Sequence, residues 1–235
     1  MSIKGVFPIE QWNFGSNSIF SGLCLDDLDL LMRHQLEQVY KKGEIIFREG
    51  MLAQGIFYIM NGVVKKFKGN NHNKEQIFYV ANAGELIGYH SVLSGDRYFD
   101  SAAALEESKI IFIPKEDFLN TLQSSKDLSG RLLKILSHEF AVLVNGLSLI
   151  SQKPVRERLA LQLIVLREKY KVDFQPGMPV VINMSREDLA NLVGTATENA
   201  IRILTEFKEE GILETTGRKI FIHDVAKLIK IADYK

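Results

Sequence analysis

Cysteine is almost missing from these 235 residues, with Cys24 standing alone. A single thiol closes no intrachain disulfide, and it completes neither a multi-cysteine zinc site nor an iron–sulfur cluster held by four thiolates. Long apolar runs are lacking too. No uninterrupted stretch approaches the ~18 apolar residues of a membrane span, and Met1 to Trp12 does not have the basic-then-apolar layout of a signal peptide. The expectation is a soluble, cytoplasmic chain with no membrane partner. No charge is in excess, because 29 Lys+Arg balance 29 Asp+Glu. P-loop, paired-histidine metal and nucleophile-elbow patterns are all absent, so an enzyme is not expected.

What is present is enough apolar residue, 46%, to bury a core, and a length that suits a sensor domain plus a smaller output domain. The charge is unevenly placed: residues 1–150 carry 15 Lys+Arg against 17 Asp+Glu, and residues 151–235 carry 14 against 12, a net −2 and +2. The C-terminal surplus points weakly to nucleic acid.

From Leu36 to Pro114 glycines cut the chain into short runs that read as strands. Examples are Glu44 to Phe47, Ile56 to Met60, Val63 to Lys68, Gln76 to Val80 and Lys109 to Ile113, with Gly69-Asn70-Asn71 as a hairpin turn. The pattern predicts an all-β barrel or roll of antiparallel pairs, preceded by a short amphipathic helix from Leu25 to Gln35. After Pro114 the period changes. Leu133, Leu136, Phe140, Leu143, Leu147 and Ile150 recur at alternating spacings of 3 and 4, the a/d register of a coiled coil. Such a seam suits a symmetric homodimer. A helix lying on its own barrel is the other reading, because Leu132, Ile135, Val142 and Leu149 widen the apolar surface. Ser151 to Pro154 then breaks the helix and marks a hinge, and Val155 to Tyr170 is helical again with Leu159, Leu163 and Leu166 on one face. These breaks give domains at 1–126, 127–151 and 152–235.

The most informative stretch runs from Ser185 to Gly211. Ser185-Arg186-Glu187-Asp188 has the layout of a helix cap, Val193-Gly194 makes a turn, and Thr195-Ala196-Thr197-Glu198 repeats the capping pattern to open a second helix. On that helix Ala200, Ile203, Leu204 and Phe207 must face inward. Thr197, Glu198, Ile201, Arg202 and Thr205 are left outward, which is major-groove chemistry: Arg grips guanine O6 and N7, Glu accepts from cytosine N4, and an apolar side chain meets the thymine methyl. Two alternatives stay open. Glu198 also fits as the closing member of a capping box with Thr195, and Arg202 as an i, i+4 partner of Glu198. Beyond Gly211, two short apolar runs flank Thr215-Thr216-Gly217-Arg218, forming a wing whose Arg218 and Lys219 suit phosphates. Ser185, Arg186 and Thr195 are the further candidates for backbone contact.

The whole chain from about Ile19 to Ile229 resembles the Crp/Fnr family of bacterial transcription regulators. The carriers are Lys42-Gly43-Glu44, Glu49-Gly50, Ile59-x-x-Gly62, the Gly84-x-x-x-Gly88 cassette, Ser185-Arg186-Glu187-Asp188-Leu189-Ala190, and Gly194-Thr195-Ala196-Thr197-Glu198-x-x-x-Arg202. The resemblance implies an α+β fold in which a cyclic-nucleotide-binding-like β-roll, a long dimerisation helix and a C-terminal winged helix-turn-helix follow in that order. It also implies a dimer that reads palindromic double-stranded DNA and works with RNA polymerase, with Glu198 and Arg202 on base edges. By the same resemblance an effector pocket would be lined by Gly84, Glu85, Gly88, Tyr89, His90, Ser91, Tyr98, Phe99 and Ser101. There the chain departs from cyclic-nucleotide-binding members. Tyr89 follows the second cassette glycine in place of Glu, and the phosphate-gripping Arg position falls on Tyr98 or Phe99, with Asp100 beyond. A response to cyclic AMP is therefore not expected. No iron–sulfur cluster is expected either, and whether there is an effector stays open. His90 reads either as a haem ligand or, preferentially, as a solvated or hydrogen-bonded histidine. The competing function is a metabolite-binding signalling module whose C-terminal domain docks protein.

Overall fold

In the computed structural model, residues 3, 5–16, 19–69, 75–171 and 180–233 are described. After a single 3-10 turn at Ile9–Trp12, the elements are α1 (Leu25–Leu31), β1 (Leu36–Tyr40), β2 (Ile45–Phe47), β3 (Gly55–Asn61), β4 (Val63–Gly69), β5 (Glu75–Asn82), β6 (Leu86–Ile87), α2 (Tyr89–Ser94), β7 (Ser101–Ala104) and β8 (Ser108–Pro114). Then follow α3 (Lys115–Ser124), α4 (Lys126–Gln152), α5 (Val155–Lys169), β9 (Val181–Asn183), α6 (Arg186–Val193), α7 (Thr197–Glu209), β10 (Leu213–Thr216), β11 (Lys219–Ile222) and α8 (Val225–Ala232). The chain packs as two units, residues 14–68 with 80–141, and residues 1–13 with 69–79 and 142–235.

The first unit is the antiparallel roll. Its strands form a sheet of order β1-β8-β3-β6 and a second in which β2, β7 and β4 follow in that order. Between β3 and β8 the register sets Ile56 opposite Ile113 and Ile59 opposite Ile110, all at most 1% exposed. Each buried isoleucine contributes about 1.5–3 kcal/mol, so this ladder is the spine of the roll. The β3–β4 turn needs Gly62: its φ is +100°, and a Cβ there would lie 2.2 Å from Ser108 Oγ. The five predicted strands are all present. Asn70 and Asn71 of the predicted hairpin turn lie outside the described residues.

Two sequence expectations are corrected. α1 stops at Leu31 instead of Gln35, with Met32 as its C-cap. The reason is tertiary: the His34 backbone N–H donates to Asp117 Oδ2 (3.1 Å) on α3 and cannot continue the helical ladder. The other concerns α4. An 18-residue window of this helix has mean hydropathy 1.4, so by length and composition it is long and apolar enough to cross a membrane. Counting uninterrupted apolar runs missed this, because the apolar residues form two separate stripes. Leu132, Ile135, Val142 and Leu149 are buried, while Leu133, Phe140, Leu143, Leu147 and Ile150 are exposed and Leu136 is half-buried.

In the second unit α5 packs on α8, and β9 joins the wing to give a sheet of order β10-β11-β9. Arg158, 9% exposed, donates to the carbonyls of Ile150 (2.8 Å) and Gly194 (3.1 Å), tying the end of α4 to the turn between α6 and α7.

Candidate functional site

α6 begins as the sequence predicts. Ser185 Oγ accepts from the Asp188 amide (2.9 Å) and donates to Asp188 Oδ2 (2.6 Å), and Leu189 and Leu192 are buried. The turn is sharp because Gly194 adopts φ 73°, ψ 52°, which lets the amides of Gly194 and Thr195 both donate to Ala190 O (2.9 and 3.0 Å). Gln76 on β5 assists, its Nε2 donating to Asn191 O at 2.7 Å.

α7 begins one residue later than the predicted capping box requires. Its N-cap is Ala196, which has no side chain able to cap, and Thr195 Oγ1 instead accepts from Asn199 Nδ2 (2.9 Å). Glu198 is therefore the second residue of the helix, its exposed side chain forming no hydrogen bond or ion pair among the described residues. The i, i+4 alternative fails as well. Arg202 donates to Glu206 Oε1 through Nη1 and to Asn199 Oδ1 through Nη2 (2.8 Å), not to Glu198. The inward face is as predicted, with Ala200, Ile203, Leu204 and Phe207 buried. Outward stand Glu198, Arg202 and Thr205, with Ile201 at 45% exposure and Thr197 half-buried.

The wing turns at Gly217, and the exposed Arg218 and Lys219 side chains form no ion pair among the described residues. Two predicted phosphate contacts are otherwise engaged. The Ser185 hydroxyl is held on both sides by Asp188, and Arg186 Nη2 donates to Gly217 O (3.0 Å), fixing the wing against α6. Arg186 is half-buried, and desolvation lowers its pKa.

In the roll, the residues of the predicted effector pocket are engaged with one another and with their neighbours. Gly84 and Gly88 make the turns into β6 and α2, and buried Glu85 accepts from the Asn82 amide (2.9 Å). Tyr98 stacks on Phe47 (centroids 4.3 Å apart) and donates to Gly55 O (2.6 Å); burial pushes its phenol up to about 12. Ser91 Oγ accepts from the Phe99 amide, and Ser101 Oγ from the Glu49 amide. Tyr89 is fully buried and stacks on His90 (4.1 Å), with its phenol pKa raised by burial and then by the Glu139 carboxylate. His90 Nε2 lies 2.8 Å from Glu139 Oε2 on α4. The half-exposed Phe99 ring stands edge-on to His90 and 5.9 Å from Lys66 Nζ, which is 3.2 Å from Asp100 Oδ2. Lys66 and Asp100 are at most 2% exposed. Sequence reasoning missed Lys66 and Glu139. The cation here is a lysine whose charge is already met by Asp100.

A β-roll, a long helix bearing a bare apolar stripe, and a winged helix-turn-helix with an open outer face together define a DNA-binding regulator. Comparison with known proteins gives the same class. Residues 37–125 match the cyclic nucleotide-binding domain family, and residues 157–231 match the Crp-like helix-turn-helix domain. The chain is 28% identical over 208 residues to the transcriptional activator protein Anr of Pseudomonas aeruginosa, covering 88% of this chain and 84% of the relative. It is 26% identical over 214 residues to a cyclic AMP receptor protein of Thermus thermophilus, covering 91% and 96%. The fold is shared with FixK2 of Bradyrhizobium japonicum, at a TM-score of 0.76 and 20% identity over 86% of this chain and 98% of that one. The chain belongs to the Crp/Fnr family. It is a transcription regulator with a helix-turn-helix DNA-binding domain, and its relatives are regulators, not enzymes.

Proposed function

We propose that the protein acts in the cytoplasm as a homodimer that presents two copies of α7 to a two-fold-symmetric DNA site and engages RNA polymerase there. The observation that carries this reading is the open face of α7: a Glu198 side chain with no partner among the described residues and an exposed Arg202 flank Ile201, while the opposite face is buried. Residues 1–126 serve as sensor, 127–151 as dimerisation helix and 152–235 as the DNA-binding domain. Thr197, Glu198, Ile201 and Arg202 meet base edges, and Thr195, Arg218 and Lys219 meet phosphates. Ser185 and Arg186 shape the cap and the wing. A mobility shift against genomic fragments at stated salt tests the proposal, because a protein-docking module would retain no preferred fragment.

The wing and the bases are separable. Arg218→Ala is expected to weaken all DNA sequences alike and to lower the slope of log K against log salt by about 2 for the dimer, since it removes one phosphate contact at each of the two wings. A change in preferred sequence would instead place Arg218 on a base.

For the sensor, the Lys66–Asp100 pair and the packed Tyr98 support a site closed to cyclic AMP: its phosphate would meet a lysine already neutralised by a carboxylate. A ligand binding only the folded state at about 100 times its Kd adds roughly 2.7 kcal/mol. Millimolar cyclic AMP is expected to produce no rise in melting temperature, and a saturable rise would overturn this assignment.

A further inference from the structure

Arg202 is not idle in the DNA-free chain. Besides its hydrogen bond to Asn199, it holds Glu206, and Glu206 is shared: its Oε2 accepts from Arg156 Nη1 on α5 at 2.9 Å. Arg156 has two further holds, Nη2 to Glu210 Oε1 (2.6 Å) and a guanidinium 4.7 Å from the Phe207 ring centroid. The two arginines thus bracket one carboxylate, and only Arg202 lies on the open face of α7.

We infer that Arg156 is a positioning residue for base readout: acting through Glu206, it keeps that carboxylate paired when Arg202 leaves it for a guanine. The inference rests on the assignment of Arg202 to a base edge made above. A guanidinium fork cannot bind guanine O6 and N7 and a carboxylate through the same N–H pair. Readout through the Nη1–Nη2 edge, whose two nitrogens now hold Glu206 and Asn199, therefore requires Arg202 to release Glu206. Released with no other partner, that carboxylate would face DNA phosphates unneutralised. Arg156, anchored independently on Glu210 and Phe207, remains bound and supplies the positive charge. Asn199, itself steadied by Thr195, lets Arg202 go without exposing a charge.

The test compares binding of the full-length protein to its selected duplex and to the same duplex changed at the base pair that Arg202 reads. The affinity ratio is measured for wild type, Arg156→Gln, Glu206→Gln and the double variant. Arg156→Gln is expected to lower the ratio roughly 3- to 10-fold over two half-sites, the scale of a partly exposed ion pair. Glu206→Gln should raise it about 2- to 5-fold on the same scale, and in that background Arg156→Gln should have no further effect. Arg156→Lys, which keeps the charge but not the fork, should fall between wild type and Arg156→Gln. Equal loss on both duplexes, or an Arg156→Gln effect that persists beside Glu206→Gln, overturns the inference. If melting shows Arg156→Gln to be misfolded, Glu206→Gln alone decides, and an unchanged or lowered ratio overturns it. A ratio insensitive to Arg202→Ala removes the readout assignment and this inference together. A ratio that answers to Arg202→Ala but not to Arg156→Gln removes this inference only.

Discussion

Leu143→Glu is expected to convert the protein to monomers and abolish specific DNA binding. Leu143 lies in the exposed stripe of α4 between Phe140 and Leu147, each 70% exposed in the single chain. In a two-fold seam the substitution places one carboxylate from each chain in a desolvated interface with no cation opposite, a penalty of several kcal/mol. Loss of the dimer also removes the pairing of reading helices about one DNA turn apart, and with it the gain from two half-sites. The variant should fold, since Leu143 is half-exposed within its own chain. Sedimentation checks the result. A variant that still sediments as a dimer would place the interface elsewhere.

Arg202→Ala is the second large effect. Loss of a bidentate guanine contact should cost about 1–3 kcal/mol in each half-site and relax preference at that base pair alone. Were Arg202 only the helix partner of Glu206, a neutral change would cost about 0.2–0.5 kcal/mol and leave the preferred sequence untouched. Glu198→Gln complements it: with no capping bond to lose, it should leave stability nearly unchanged while altering discrimination at cytosine. Binding-site selection on both variants is the measurement, and unchanged sequence preferences for both would remove Glu198 and Arg202 from the base edges.

The buried face of α7 was legible because four apolar residues at helical spacing admit one orientation, and Ser185 because its side chain reaches its own helix. The start of α7 was not. Thr195 and Glu198 satisfy a local pattern, but with Gly194 in the left-handed region the amides of Gly194 and Thr195 both go to Ala190 O, and the N-cap moves on to Ala196. Partners across the chain were equally hidden. Lys66 shares the inward phase of Val64, which signals a buried cation, but nothing local points to Asp100. Glu139 is likewise the one acid in the apolar span of α4, a signal that passed unread, and its partner His90 lies 49 residues away. β6 and α2 escaped notice because elements of 2 and 6 residues carry too little period to read.

The His90–Glu139 contact also pins the rotational phase of α4. Turning that helix by one residue is a rotation of about 100°, which would pull Glu139 out of its buried pairing and carry the acid round towards the stripe that runs through Phe140 and Leu147. The same acid thus enforces orientation from both directions: it gains by staying beside His90, and it would be unwelcome on the exposed side. Each chain is keyed to keep its leucine ridge outward, so the surface that a second copy would cover in the proposed dimer is already formed in the single chain.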